Sequence, residues 1–157
     1  MANSKNLGIL VLMISLLVFI LGGCAPMKLN VMPEKASITP DLLKNPIKFS
    51  ATGFPPKEVV TIELILPKGV QMKGLGKGEN RVGMAVANAD DKGNFEVAMA
   101  AISTLNNLFQ VGWTTAMTPD FKQAKPLPAG KYEIVATGIE SNRVAKGMME
   151  IVPPPAK

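Results

Sequence analysis

The fold is decided by the stretch Glu58-Val-Val-Thr-Ile-Glu-Leu-Ile-Leu66. Successive side chains of an extended chain point to opposite sides, so one face of this stretch carries only apolar residues, namely Val60, Ile62, Leu64 and Leu66. The other face is mixed and carries Val59, Thr61 and Glu63. Its β-branched content and Pro67 directly after it favour a strand that ends at residue 66. The pattern predicts a strand with one face in the core.

Shorter segments on both sides of this strand also have strand character. We predict strands at 36–39, 46–52, 82–88, 95–99, 131–137 and 143–152, with Val82, Met84 and Val86 on one face of the third. The turn chemistry of 88–93, with Asp90, Asp91 and a glycine at 93, predicts that the strands on either side of it form a hairpin. Seven short strands with turn residues between them predict a mainly β fold, a β-sandwich.

Residues 100–113 depart from the β pattern. Ile102, Leu105, Leu108 and Phe109 recur at helical spacing, which predicts one short inserted helix, capped by Ser103 and stopped by Gly112. We expect its apolar face and Trp113 to cover one end of the core. The alternative is that Trp113, Phe121 and Tyr132 form a stacking platform for a sugar.

Three further stretches resemble the bacterial immunoglobulin-like domains. They are Ala51-Thr-Gly-Phe-Pro-Pro-Lys-Glu-Val-Val-Thr-Ile62, Ala89-Asp-Asp-Lys-Gly-Asn-Phe95 and Leu127-Pro-Ala-Gly-Lys-Tyr132, in the order in which that family has them. The resemblance implies an immunoglobulin-like sandwich in which Tyr132 forms a tyrosine corner. The chain departs from the family in its long loop 68–81, in its insertion 100–128 and in having no inter-sheet cysteine pair.

The first 24 residues have the character of an export signal. Lys5 is the only charge before residue 28, and an almost unbroken apolar run follows it from Leu7 to Leu21. This combination is typical of a secretory signal peptide. The run is shorter than the ~20 residues that span a bilayer, although Gly22, Gly23 and Ala25 extend it. An uncleaved single-pass helix therefore stays as the alternative.

The sequence Leu21-Gly-Gly-Cys24 resembles the lipobox of bacterial lipoproteins. The resemblance implies cleavage between Gly23 and Cys24 and a diacylglycerol on the Cys24 sulfur. It also implies that the new N-terminal amine of Cys24 is available for acylation by a fatty acid such as palmitate. Ala25 in the next position resembles the pattern that allows transfer to the outer membrane. The expected organisation is a signal peptide at 1–23, a lipidated tether at 24–35, a sandwich at 36–153 and a tail at 154–157.

The composition lowers the expectation of catalysis. The chain has no histidine and a single cysteine, so the commonest general base is missing and lipidation of Cys24 would leave no nucleophilic thiol. The 17 basic residues exceed the 12 acidic ones only mildly, and there is no basic helix that would predict nucleic-acid binding. We expect no enzyme activity and no cofactor.

Some local patterns suggest ligands but have simpler interpretations. The stretch Gly74-Leu-Gly-Lys-Gly78 lacks the spacing of a phosphate-binding loop, so a solvated or lipid- or glycan-contacting basic loop is favoured. Asp90, Asp91 and Asn94 could be imagined as calcium ligands, but a tight turn explains them without a metal. The ten methionines are better explained by core filling than by copper binding.

The sequence thus predicts a non-catalytic, lipid-anchored protein of the cell envelope. Its domain would act as an interaction or assembly module at the cell or outer membrane, facing the periplasm or the cell exterior. The alternative is a glycan- or small-ligand-binding accessory lipoprotein that uses the loop from Lys68 to Arg81 and the Trp113 region. The expected partners are the membrane and an envelope protein or glycan, and not nucleic acid.

Overall fold

The computed structural model describes residues 27–154, and they form a β-sandwich. Its strands are β1 (Met27–Lys28), β2 (Asn30–Met32), β3 (Lys35–Ser37), β4 (Lys48–Thr52), β5 (Val59–Ile65), β6 (Arg81–Asn88), β7 (Asn94–Ala98), β8 (Gly112–Trp113), β9 (Pro119–Asp120), β10 (Gly130–Gly138) and β11 (Val144–Val152). Two 3₁₀ turns lie at Pro40–Leu43 and Phe121–Gln123, and one helical segment consists of an α-helical turn, Ala101–Ser103, and a π-helical turn, Thr104–Phe109. The predicted mainly β sandwich with one short inserted helical segment is confirmed.

The larger sheet has the order β1-β11-β10-β5-β6, and β3 also pairs with β11. The smaller sheet has the order β2-β4-β7, and β8 and β9 form a separate ribbon. The first eleven described residues pass between the sheets: β1 and β3 pair in parallel with β11, whereas β2 between them pairs with β4. This initial segment therefore joins the two sheets along one side of the sandwich.

The core lies between the two sheets and forms one cluster of apolar side chains. The predicted inner face of β5 is buried, with Val60, Ile62 and Leu64 fully inaccessible to solvent. Phe49 and Phe95 face them from the smaller sheet. Among the described residues 27–154, the cluster draws on residues from 29 to 151, so the sandwich is built around one core.

Tyr132 is buried at the start of β10 and bonds back to the preceding loop. Its hydroxyl donates a hydrogen bond of 2.7 Å to the carbonyl oxygen of Pro128, four residues earlier. This is the geometry of a tyrosine corner. Burial raises the pKa of the Tyr132 hydroxyl, so this group stays protonated as a donor. The predicted role of Tyr132 is confirmed, whereas membership of the immunoglobulin-like family stays a prediction.

The predicted hairpin around residues 88–93 is wrong. β6 pairs with β5 in the larger sheet and β7 pairs with β4 in the smaller one, so the turn crosses from sheet to sheet. Gly93 makes this crossing possible: it has a φ of 77°, and a Cβ atom there would overlap the carbonyl oxygen of Phe54. Turn residues such as these can connect two strands of one sheet or two strands of different sheets. The flanking strands have the same alternating sequence pattern in both cases, so the pattern does not distinguish them.

The residues of β6 that are predicted to face the core are buried only in the first half of the strand. The pairing with β5 shifts at Ile62 and Glu63, where Met84 is the extra residue of a β-bulge. The bulge inverts the alternation beyond it, so Val86 is 61% exposed and its neighbour Ala87 is buried. Val82 and Met84, before the inversion, are buried as predicted.

The predicted tether at 24–35 must be shortened. β1, β2 and the start of β3 lie within it, and Leu29 and Val31 are buried in the core. The chain changes sheets every few residues there, so each strand is too short to show an alternating pattern. Asn30 and Pro33 also interrupt the apolar residues. Residues 24–26, including the predicted lipidation site Cys24, lie outside the described part of the chain, as do Gly23 and the predicted signal segment.

The inserted segment differs from the predicted helix. Leu108 and Phe109 are buried, but Ile102 is exposed, and the helical segment ends at Phe109 rather than at Gly112. Ser103 makes no capping hydrogen bond through its side chain. Trp113 is 36% exposed on the ribbon, so its predicted place over the core is wrong.

The two ends of the sandwich are built differently. We call one the Met27 end: it consists of Met27 and the turns 53–58, 89–93 and 139–143, where β1, β5, β7 and β11 begin. The other, the insert end, contains the long connections 66–80 and 99–129 together with the connection 38–47. In the described part of the chain, no helix is both long and apolar enough to cross a membrane.

Candidate functional site

The two long connections of the insert end contact each other beside the core. The loop 66–80 joins β5 to β6, which pair with each other, and it packs Val70, Met72 and Leu75 against the core. Two parts of the segment 99–129 are bonded to each other: the backbone N–H of Leu127 donates to the carbonyl oxygen of Leu108 at 2.9 Å. The side chain of Gln110 connects the two.

Gln110 combines a left-handed backbone with a buried side chain. It follows the helical segment with a φ of 48°, in the left-handed region that a residue with a side chain seldom adopts. Although polar, it is only 7% exposed. Its Oε1 atom accepts a hydrogen bond of 3.1 Å from the backbone N–H of Lys73, which fixes the orientation of the amide. Its Nε2 atom has no protein acceptor among residues 27–154.

A cleft of about 620 Å³ lies where the two connections meet, and we call it the Gln110 cleft. Its lining is polar and cationic with some apolar surface, and consists of Gln71, Met72, Lys73, Gln110, Gln123, Lys125, Pro126 and Pro128. The Lys125 N–H donates to the Gln110 carbonyl at 3.4 Å, so both lysines of the cleft are attached to Gln110 through their backbone. The volume falls within the ~300–1,000 Å³ typical of ligand sites.

An exposed apolar surface lies on the β8–β9 ribbon. Met117 at its tip has a φ of 57° and is 78% exposed, while Trp113 on β8 and Phe121 directly after β9 are 36% and 48% exposed. The Trp113 Nε1 donates to Asn106 Oδ1 at 2.9 Å, which holds the indole on the surface. Phe121 meets the buried Phe109 edge-to-face at a centroid distance of 5.9 Å. We call Trp113, Met117 and Phe121 the ribbon patch.

A second depression, of about 660 Å³, lies beside β11 where neither β1 nor β3 pairs with it. It has lysines too, but two of them are neutralised. Lys35 lies 3.1 Å from Glu150, and Lys146 lies 2.9 Å from Glu133. Its exposed apolar residues are Met32 and Met148. These ion pairs distinguish it from the Gln110 cleft.

The aspartates of the turn 89–93 are occupied by the turn itself. Asp90 Oδ1 accepts hydrogen bonds of 2.8 Å from the backbone N–H groups of both Lys92 and Asn94. The bond from Asn94 is the main cause that lowers the pKa of Asp90. Asp91 instead pairs with Lys57 at 3.4 Å. Within residues 27–154, no group of three His, Cys, Asp or Glu side chains is close enough to hold a metal ion.

Glu58 is a buried carboxylate at the Met27 end, with 4% exposure. Its Oε1 accepts from the backbone N–H groups of Glu140 and Ser141 at 3.1 and 2.6 Å, and its Oε2 accepts from the Ser141 hydroxyl at 2.9 Å. Burial alone would raise the pKa of Glu58, but these hydrogen bonds and the charge of Arg143 together lower it. Glu58 therefore ties the turn 139–143 to the start of β5 as an anion. Glu63, the other acid of this strand, pairs with Arg81 on the outer face.

The methionines of the described region divide between core and surface. Met84 and Met99 are buried, as the core-filling interpretation predicts. Met149 is buried and Met148 is exposed, so these neighbours point to opposite faces of β11. The surface methionines Met32 and Met117 belong to different parts of the fold.

The comparisons with known proteins show similarity of structure alone. No family model matches the sequence, and no curated protein matches it. Among solved structures, the chain is similar to BslA, a bacterial hydrophobin, with 17% identity and a TM-score of 0.37 over 86% of this chain and 100% of that one. It is also similar to a beta-D-glucoside glucohydrolase from Trichoderma reesei, with 12% identity and a TM-score of 0.42 over 82% of this chain. The chain corresponds to only 18% of the length of that enzyme.

Gln110 was not predicted from the sequence, although a signal was present. It stands between Phe109 and Val111, and a single amide within an apolar run is a candidate for a buried polar contact. Trp113 and the loop 68–81 were predicted as a possible ligand region. The structure brings the loop, through Lys73, to Gln110, while Trp113 belongs to the ribbon patch.

Proposed function

We propose that this protein is a non-catalytic, lipid-anchored component of the cell envelope whose sandwich serves as an interaction or assembly module. The observation that carries the proposal is the ribbon patch. Large apolar side chains exposed together are costly in water and mark contact surfaces more often than single exposed ones do. The described residues, in contrast, contain no histidine, and Glu58, their buried carboxylate, is committed to the backbone of a turn.

The position of the patch supports this role. Cys24 precedes Met27 by only three residues, which can span about 10 Å. A lipid on Cys24 would therefore hold the Met27 end against the bilayer. The ribbon patch belongs to the opposite end, so the anchored domain would present it away from its own membrane. A partner in the envelope could then contact the patch without competing with lipid.

The anchor is tested by mass spectrometry of the mature protein. We expect an acylated N-terminal Cys24, and a Cys24→Ser variant should leave the membrane fraction or remain as unprocessed precursor. An intact N-terminal Met1 together with a free thiol would contradict the proposal.

The contact surface is tested by a photo-crosslinking residue placed at Met117 in the membrane-bound protein. The matched control is the same residue at Ile139, which is 58% exposed but lies at the Met27 end. We expect a discrete protein crosslink from position 117 and lipid labelling from position 139. Equal protein crosslinks from both positions would refute a partner specific to the ribbon patch.

A glycan- or small-ligand-binding accessory role is the second candidate. It is favoured by the Gln110 cleft, in which charged and amide side chains converge beside apolar proline surface. The two candidates use different residues. Variants of the ribbon patch should affect a protein partner only, whereas variants of the cleft should affect a small ligand only.

A further inference from the structure

The Gln110 cleft offers hydrogen-bond donors that the protein itself does not use. Lys73 and Lys125 have no carboxylate oxygen within 4.0 Å among residues 27–154, where the recorded ion pairs involve other cations. A lysine ammonium has three donors and no acceptor. Gln110 Nε2 adds two more N–H groups, because its acceptor oxygen is already bonded to Lys73 N–H. The cleft therefore selects for a ligand that supplies acceptors.

No acidic side chain lines the cleft to balance these donors. The nearby carboxylate of Asp120 is already occupied, since it accepts from the Lys122 N–H at 3.0 Å and from Gln123 Nε2 at 2.7 Å. The second bond also turns the Gln123 amide so that its oxygen is left as an acceptor. The cleft thus combines a cationic part with an amide that can accept a hydroxyl group.

Gln110 ends the helical segment in a left-handed conformation, and its hydrogen bonds reach the backbone of both lysines of the cleft. Left-handed residues are common where a helix ends, and glycine is the usual residue there, so a glutamine at this position is unusual. The same backbone carbonyl positions Lys125, and the same side chain positions Lys73. One residue therefore holds the backbone from which both cationic side chains of the cleft extend.

We propose that the Gln110 cleft binds a carboxylate-bearing saccharide. Lys73 and Lys125 hold the carboxylate, the amides of Gln110 and Gln123 bond the ring hydroxyls, and Pro126 and Pro128 contact the apolar face of a sugar ring. The proposal deepens the second candidate function and rests on it. Phosphate fits less well, because it offers nothing to the Gln123 amide oxygen, which is left as an acceptor, or to the proline surface of the cleft.

The test uses residues 25–157, which contain the whole described sandwich, and isothermal titration with trigalacturonic acid. The matched probe is the fully methyl-esterified trimer, which keeps the rings and removes the charge. We expect binding of the acid at least about tenfold tighter than of the ester, since one charge-assisted hydrogen bond is worth about a factor of ten. Equal affinity for acid and ester would overturn the proposal.

Two variants place the ligand in the cleft. Lys73→Gln and Lys125→Gln keep length and exposure while removing the charge, and each should weaken binding of the acid about tenfold. Lys44→Gln, an exposed lysine of the 40–47 region, is the control and should bind as the parent does. Unchanged binding by the double variant, or displacement of the trimer by an equal concentration of inorganic phosphate, would refute the assignment. Loss of this binding leaves the Cys24 and Met117 experiments unaffected, so the two proposals fail separately.

Discussion

The backbone N–H and C=O groups at the two ends of the sandwich form their hydrogen bonds in different ways. At the Met27 end, short turns bond to one another: Gly93 accepts from Gly53 and Phe54, and Arg143 donates to the Gly53 carbonyl at 2.5 Å. At the insert end, long connections bond mainly within themselves and meet through a single side chain, that of Gln110. The turns of the Met27 end are therefore joined into one hydrogen-bonded network, whereas the two long connections of the insert end are joined by a hydrogen bond at one side chain.

This difference indicates which end contributes more to the free energy of unfolding and which end is available for binding. Buried polar networks are costly to disturb, because each lost partner leaves a desolvated group. Exposed loop residues carry little folding free energy and can change without loss of the fold. We expect substitutions at the Met27 end to alter the free energy of unfolding and substitutions at the insert end to alter binding.

The largest contrast is expected between two glycines of positive φ. Gly93→Ala should lower the free energy of unfolding by about 4 kcal/mol, because backbone strain adds to the overlap with the Phe54 carbonyl. Gly74→Ala should cost only about 1 kcal/mol, because the space around that position is open and only the strain remains. Urea unfolding measures both. Similar costs at the two positions would show that the close approach at Gly93 is not essential.

The next largest effect is expected at Glu58. Glu58→Ala removes three hydrogen bonds to a buried anion and should cost about 3 kcal/mol in urea unfolding. The matched control is Asp91→Asn, which breaks the exposed pair with Lys57 and should leave the free energy of unfolding unchanged within error. A loss of less than about 1 kcal/mol for Glu58→Ala would mean that water replaces the carboxylate freely.

Lowering the pH should weaken the same interaction of Glu58. The pKa of Glu58 is lowered in the folded state, so the unfolded chain binds the proton more tightly. The stabilisation from Glu58 is then fully present above the unfolded pKa of about 4.3 and is lost as pH falls through the folded pKa. Unfolding free energies between pH 6 and pH 3 should decrease less steeply for Glu58→Gln than for the parent. Parallel pH profiles would contradict this assignment.

The smallest effect on stability is expected at the ribbon patch. Met117→Ser should change the free energy of unfolding by less than about 0.5 kcal/mol, because the side chain is mostly in water. Met84→Ala, which removes a buried methionine, should cost about 2–5 kcal/mol in the same measurement. A marked loss at Met117 would show that the ribbon supports the fold rather than a partner.

Much of the strand content could be predicted because strands with one buried face alternate. β5, β10 and β11 are long enough for the period to be clear, and their predicted bounds agree with the structure to within one or two residues. The pairing of β6 and β7 could not be predicted in this way. The residues around Gly93 specify a tight reversal, and only the packing of Gly93 against Phe54 decides that the chain changes sheets.

The candidate site could be predicted only in part, because it depends on contacts distant in sequence. The composition of the loop 68–81 and the aromatic residue Trp113 indicated a ligand region. Nothing local places Lys73 beside Gln110, which is 37 residues away. The exposure of Trp113 likewise follows from its pairing in a two-residue ribbon, which is too short for any periodic pattern to reveal.

The passage of the first strand segments between the two sheets has a mechanical consequence. β1 and β3 lie along β11, and β2 lies along β4, so all three contacts run parallel to the long axis of the sandwich. A tensile load applied at residue 27 and resisted at the insert end would pull these segments lengthwise. Their hydrogen bonds would be sheared together instead of being unzipped one by one. A domain tethered near residue 24 and gripped at its far end would thus be loaded in its most resistant direction.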